Sequence, residues 1–202
     1  MDLQILDWIN GNLHGSNFVN QLFRIITYLG EKGIVWIALG LLLLCFKKTR
    51  KGGVLLLASL AIGVLINNFV IKPIVNRPRP FAEDAALADF ITSIGLKLPT
   101  DSSFPSGHTQ AAINAAMFLT LYFKGKGAWA WIPACLIAIS RVFLCVHYPT
   151  DVLAAAVIGA VVAVLVWWLG QKLLDKIIVW WQNKKDKKQV PQEQDKKEQV
   201  AE

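Results

Sequence analysis

The sequence predicts an all-α fold, a polytopic membrane helical bundle with five clear spans and an N-terminal amphipathic helix. Three observations carry that prediction. Hydrophobic residues make up 54% of the 202-residue chain, and the mean hydropathy is +0.45, which points away from an ordinary soluble domain. The apolar residues are gathered into long runs joined by short polar links. The cations sit in those links and in the tail. The net charge of +7 therefore fits an inner membrane surface better than a nucleic acid, and no nucleic-acid partner is expected. The chain is long enough for one domain, and its N-terminus carries no pattern of a removable signal peptide.

Residues 1–30 are mixed. Leu3, Ile5, Leu6, Trp8 and Ile9, then Phe18, Val19, Leu22, Phe23, Ile25 and Ile26, recur at helical spacing. Asn17, Asn20, Gln21 and Arg24 interrupt the second set, which suits an amphipathic interfacial segment rather than a span. His14 falls in its polar link and reads as a solvated surface histidine. The runs follow at 33–46, 52–71, 109–123, 128–146 and 152–169. In the third of them Gln110 and Asn114 are expected to face other helices. The fifth continues as an amphipathic extension carrying Trp167, Trp168, Trp180 and Trp181, a composition expected at headgroup level. Residues 31–182 thus form the membrane domain, and 183–202 read as a disordered charged tail. Cys45, Cys135 and Cys145 lie in or beside apolar runs, fit no metal-site spacing and read as small buried hydrophobes.

Counting cations orients the bundle. Lys47, Lys48, Arg50 and Lys51, then Lys124 and Lys126, then the Lys-rich tail fall on one side if five runs span. The positive-inside rule makes that side cytoplasmic. Residues 72–108 and 141–151 then share the opposite, extracytoplasmic face of a cell membrane. Every polar motif lands there without being forced.

Each motif has a local chemistry. Lys72 and Arg79 flank a segment that Pro73, Pro78 and Pro80 keep out of regular helix. Such a bend can aim two cations inward, and planar Arg suits bidentate phosphate contact. Arg77 lies inside this motif with at most a secondary role. Pro105-Ser106-Gly107-His108 opens the third span: Ser caps, Gly admits close approach, and free amides face outward as in an anion site. His108 titrates near neutral pH, which fits general acid work. Arg141 ends the fourth span, while His147 and Asp151 open the fifth across Pro149. Asp151 can accept a hydrogen bond from one nitrogen of His147 and leave the other nucleophilic. Taken singly, each residue is explained by a capped or snorkelling helix end. The bland explanation has to be invoked three times on one face, which makes it poor. Glu83, Asp84, Asp89 and Asp101 are scattered through the connecting loop and read as solvated.

Together, Lys72-x6-Arg79-Pro80, Pro105-Ser106-Gly107-His108 and Ser140-Arg141-x5-His147-x3-Asp151 resemble the three-part signature of the type 2 phosphatidic acid phosphatase superfamily. That superfamily also includes bacterial acid phosphatases and vanadium haloperoxidases. The resemblance covers roughly residues 33–170 and departs at no signature position. It implies a six-helix core, to which residues 16–30 would supply the remaining helix. It implies further that His147 attacks phosphorus, that Asp151 supports it, and that His108 protonates the leaving oxygen and activates water. Lys72, Arg79 and Arg141, with Ser106 and the amide of Gly107, would bind the phosphate. No metal and no cofactor is required. The implied partner, besides the lipid bilayer, is a phosphorylated membrane lipid. Undecaprenyl diphosphate ranks first, with phosphatidylglycerophosphate or phosphatidic acid as the alternative and a lipid phosphotransferase as a rival reaction.

Overall fold

Residues 1–199 are described in the computed structural model, and every regular element among them is helical. The order is α1 (Asp2–Leu13), α2 (Asn17–Leu29), a 3₁₀ turn (Glu31–Gly33), α3 (Ile34–Cys45), α4 (Arg50–Leu65) and a π-helical turn (Ile66–Ile71). Then come α5 (Lys72–Val75), α6 (Pro80–Glu83), α7 (Ala85–Ser93), α8 (Gly107–Tyr122), a 3₁₀ turn (Ala128–Ala130), α9 (Trp131–Phe143) and α10 (Pro149–Gln199). Met1–Trp167 form one unit, and the chain from Trp168 forms a second.

The first unit is built around α8, which packs against α4 and α9 with α3 alongside. Nine of its sixteen residues are buried. Gln110 Nε2 donates to the Gly63 carbonyl at 3.0 Å. Asn114 Nδ2 donates to the Ser59 carbonyl at 3.2 Å, and Ser59 Oγ donates to Asn114 Oδ1 at 2.7 Å. A buried amide without such partners costs several kcal/mol, so these bonds fix α8 against α4. At Gly159 an added Cβ would lie 2.5 Å from the Gln110 carbonyl, so only glycine admits α10 this close to α8. A helix walled in by protein needs no apolar face for lipid. Among the described residues Asn17–Cys45, Arg50–Glu83 and Pro149–Lys185 are long and apolar enough to cross a membrane, and the sixteen-residue α8 is not one of them. Ala128–Phe143 is a shorter apolar helix.

The N-terminal segment departs from expectation. The boundary expected at residue 30 falls inside one candidate span, Asn17–Cys45, in which Lys32 (φ +50°) and Gly33 (φ +69°) form a kink between α2 and α3. α2 packs against α9, where Phe23 stacks on Phe143 with centroids 4.0 Å apart. Asn20 and Thr27 are buried. The amphipathic period read as interfacial belongs instead to a helix whose polar positions meet protein. His14 is likewise not a solvated surface residue: its Nε2 lies 2.7 Å from the Phe143 carbonyl and its ring stacks on Phe90 at 3.5 Å. It partners a carbonyl that the end of α9 leaves without a helical donor.

Two further expectations are corrected. All three cysteines are free, but only Cys145 is buried; Cys45 and Cys135 are exposed. The tail expected to be disordered from 183 continues α10 as helix through Gln199, consistent with its content of good helix formers Lys, Glu and Gln; residues 200–202 lie outside the described residues. Within the second unit Lys172 Nζ sits 4.0 Å over the Trp168 ring and Lys184 Nζ 4.9 Å over Trp180, the ammonium-on-aromatic pairing suited to headgroup level.

An apolar cluster fixes the link between α9 and α10. Leu6 and Ile9 of α1, Leu87 and Ile91 of α7, and Ile94 pack around Phe143, Leu144, Cys145, Val146 and Tyr148. The site's central histidine is held in that link.

Candidate active site

The π-helical turn Ile66–Ile71 runs into Lys72 and Pro73. Proline offers no amide donor, and π turns recur where a helix is re-aimed at a site. Asn76, at φ +41°, ends α5 in the left-handed region, and the chain then runs extended to Arg79. A second extended segment lies on it: Ser103 N donates to the Arg77 carbonyl at 2.9 Å, and Arg77 N donates to Ser102 Oγ at 3.1 Å. Because successive side chains of an extended chain alternate, Asp101 and Ser103 both reach the site while Ser102 turns back to Arg77.

Arg79 is buried and uses every nitrogen. Nε donates to the Asp101 carbonyl at 2.9 Å, Nη2 to Asp101 Oδ1 at 2.6 Å and Nη1 to the Val146 carbonyl at 2.8 Å. Nη1 also lies 3.4 Å from His147 Nε2. Lys72 Nζ pairs with the other Asp101 oxygen. Asp101, expected to be solvated, is therefore the anion between two signature cations. Burial pushes its carboxyl up, but the hydrogen bond from Lys72 and the charge of Arg79 outweigh that and hold it at about 2.

His147 is fixed by its backbone. Both Val146 N and His147 N donate to the Arg141 carbonyl at 3.3 Å, and Cys145 sits at φ +54° to make that turn. The imidazole is 1% exposed. Burial holds it well below the ordinary histidine range, at about 3; the Asp151 carboxylate opposes that, and the charges of Arg141 and Arg79 add to it. Its Nδ1 lies 3.6 Å from Asp151 Oδ2, longer than the hydrogen bond expected from the sequence. Ser103 bridges the gap, with Oγ 3.5 Å from Nδ1 and donating to Asp151 Oδ2 at 2.5 Å. Asp151 also accepts from Tyr148 N at 3.0 Å and from Arg77 Nη1 at 2.7 Å. Arg77, secondary in the sequence reading, is thus the carboxylate's cationic partner. It lies 3.8 Å over the Tyr148 ring and donates through Nη2 to Asp2 at 2.9 Å.

The opposite wall has fewer bonds. Ser106 caps α8, accepting from Thr109 N at 3.5 Å and Thr109 Oγ1 at 3.0 Å. His108 Nε2 is buried with no hydrogen-bond partner, and its nearest carboxylate oxygen, on Glu31, is 3.6 Å away. Arg141 bonds through Nη1 to Thr27 Oγ1, while its Nε is buried without a partner. An added Cβ on Gly107 would meet Asn67 Nδ2 at 3.3 Å.

Lys72, Arg79, Gly107, His108, Arg141 and His147 line one cavity of about 530 Å³, with Glu31 and Asp101 on its wall. Ser106 and Asp151 do not line it; both stand behind it. A second cavity, of about 320 Å³, shares Lys72, Asp101, Gly107 and His108 and extends along Gly63, Asn67 and Gln110. Glu31, Thr27, Asn67 and Ser103 are site residues that sequence reasoning missed. Among the described residues no three His, Cys, Asp or Glu side chains gather as a metal site would require.

Residues 52–175 match the model of the PAP2 superfamily. The chain belongs to that superfamily. It is 34% identical over 157 residues to an undecaprenyl-diphosphatase of Sulfolobus acidocaldarius, covering 74% of this chain and 71% of the relative. It is 29% identical over 168 residues to the undecaprenyl-diphosphatase BcrC of Bacillus subtilis, covering 82% of each. The solved transmembrane PAP2-type phosphatidylglycerolphosphate phosphatase of Bacillus subtilis superposes with a TM-score of 0.68 at 27% identity over 85% of each chain. This PAP2 protein is a membrane protein and a hydrolase of phosphoric esters, acting on a phosphorylated lipid.

Proposed function

We propose that this PAP2 protein removes the terminal phosphate of undecaprenyl diphosphate through a phosphohistidine on His147. The observation that carries the reading is the convergence of His108, His147 and three cations on one cavity. With Nδ1 turned toward Ser103 and Asp151, the Nε2 lone pair of neutral His147 attacks phosphorus. The bond from phosphorus to the leaving oxygen breaks, and His108 supplies that oxygen's proton; burial and the charge of Arg141 hold its imidazole neutral at rest, so it takes that proton as the phosphate anion enters the cavity. A water deprotonated by His108 then attacks the phosphohistidine, releasing inorganic phosphate and restoring both imidazoles. Lys72, Arg79 and Arg141 balance charge on the phosphoryl oxygens, helped by the Gly107 amide at the start of α8, which Ser106 caps from behind the cavity. The chain's own residues supply each proton and each cation in this scheme, without a metal.

The diphosphate is favoured by the names of the two curated relatives and by the second cavity, which offers room beside Lys72 and His108 for a second phosphate or the first lipid units. Phosphatidylglycerophosphate is the second reading, favoured by the superposed Bacillus subtilis structure. We place the protein in the cell membrane, with the cation-rich links cytoplasmic and the site on the outer face. The test is phosphate release by purified protein in detergent with excess chelator, offering undecaprenyl diphosphate, phosphatidylglycerophosphate and phosphatidic acid in parallel. Release that survives chelation, is fastest on the diphosphate and is lost in His147→Ala is the expected result. Normal turnover by His147→Ala would sink the mechanism, and faster release from a glycerophospholipid would replace the substrate.

A further inference from the structure

We infer that Asp101 is a resident anion of the phosphate site that substrate must displace, and that it screens out phosphodiesters. The inference rests on the reading that Lys72 and Arg79 hold the phosphoryl group. The two oxygens of Asp101 are divided between those cations, one on Lys72 Nζ and the other 2.6 Å from Arg79 Nη2. Each nitrogen of Arg79 already holds one acceptor, Nε and Nη1 the Asp101 and Val146 carbonyls and Nη2 the Asp101 carboxylate. A phosphoryl group in reach of His147 Nε2, itself 3.4 Å from Arg79 Nη1, therefore meets the carboxylate as a competing anion on the same two cations. The carboxylate stays charged throughout the working range of an enzyme.

Its position allows exchange. The Asp101 side chain is 54% exposed while the cations it bridges are 13% and 6% exposed. The backbone beside it is pinned by the bond from Ser103 N to Arg77. Rotation about its own side-chain bonds therefore carries the carboxylate outward without moving the segment. Across the cavity, Arg141 Nε and His108 Nε2 are donors or acceptors that Asp101 does not reach.

The competition is decided by charge and oxygen count. A phosphodiester carries one negative charge, the same as the carboxylate it would replace, so the exchange gains little. A terminal phosphate brings close to two charges and three oxygens, enough to meet Lys72, Arg79 and Arg141 together. Most lipids around a membrane enzyme are phosphodiesters. A built-in carboxylate keeps their headgroups off the cations and lets a terminal phosphate through.

Calorimetric titration of the full chain in detergent micelles tests this, with inorganic phosphate and dimethyl phosphate as probes. Wild type is expected to bind phosphate and to give no measurable heat with the diester. Asp101→Asn, which keeps size and loses charge, should bind phosphate about tenfold tighter, the effect of freeing two partly exposed ion pairs, and should bind the diester measurably. Asp101→Ala should move both in the same direction, and unfolding midpoints establish that each variant is folded. Phosphate binding in both folded variants that is unchanged or weaker overturns the inference and makes Asp101 an organiser of the cations. Arg79→Ala separates that failure from failure of the site reading. Loss of phosphate binding there upholds the site, whereas unchanged binding removes both.

Discussion

The two walls of the cavity are built differently. On the His147 wall the carboxylate and the groups that hold it are tied down: Asp151 is fully buried yet accepts from Ser103, Tyr148 N and Arg77, and Arg77 is anchored by Asp2 and stacked on Tyr148. On the His108 wall, Nε2 of the histidine and Nε of Arg141 are buried without hydrogen bonds. On the proposed mechanism the nucleophile has to be aimed before substrate arrives, which fits a carboxylate behind it that is satisfied within the protein. Groups that meet developing charge keep bonding capacity for the reacting atoms. That contrast implies that substitutions on the first wall damage aim, while those on the second damage binding and proton transfer.

The largest expected effect is that of His147→Ala, a loss on the order of 10⁴-fold or more in kcat, as for removal of other nucleophiles. Trapping of radiolabelled phosphate on the protein checks it, since only the wild type should carry acid-labile label. His108→Ala should fall by about 10²–10⁴-fold through loss of general acid catalysis. Substrates with a good leaving group should recover part of that rate, because they need no proton; equal loss on every leaving group would move His108 out of the acid role.

Arg77→Gln sharpens the contrast between the walls. It leaves buried Asp151 without its cation and should lower kcat by about tenfold with little change in KM, the mark of a positioning residue. Partial rescue by Arg77→Lys is expected, and an effect confined to KM would assign Arg77 to binding. Ser103→Ala removes the hydroxyl between His147 and Asp151 and is expected to cost only a few-fold in kcat.

The smallest effect is on stability. The unfolded chain protonates His147 near the ordinary 6.5, whereas the buried imidazole stays neutral down to about 3. The unfolded state then binds more protons in that window, so stability falls as pH drops from about 6.5 toward 3. His147→Gln should flatten the decline of the unfolding midpoint between pH 7 and pH 5. An unchanged slope would mean that His147 contributes nothing to it.

Much of this was legible in the sequence. Apolar runs too long for a soluble core, with cations in alternate links, specified helices and a bilayer. The signature spacing named six of the residues that line the cavity, because Pro and Gly at fixed offsets restrict the backbone wherever they occur. Burial pattern was less legible. α8 carries Gln110 and Asn114 because protein surrounds it, and α2 reads as interfacial because Asn17, Asn20, Gln21 and Arg24 interrupt it, although Asn20 is buried against protein. Neither hydropathy nor period distinguishes a polar stripe that meets water from one that meets another helix.

The sequence alone therefore determined fold class, family and which signature residues to look for, all of which depend on local composition and spacing. Tertiary structure decided which other groups join them. Asp101 and Ser103 enter the site because an extended segment lies against Arg77, Glu31 because α2 and α3 kink beside His108, and Asp2 because α1 packs under the α9–α10 link. Those contacts join residues far apart in the chain, and no local pattern encodes which partner a lone carboxylate will find.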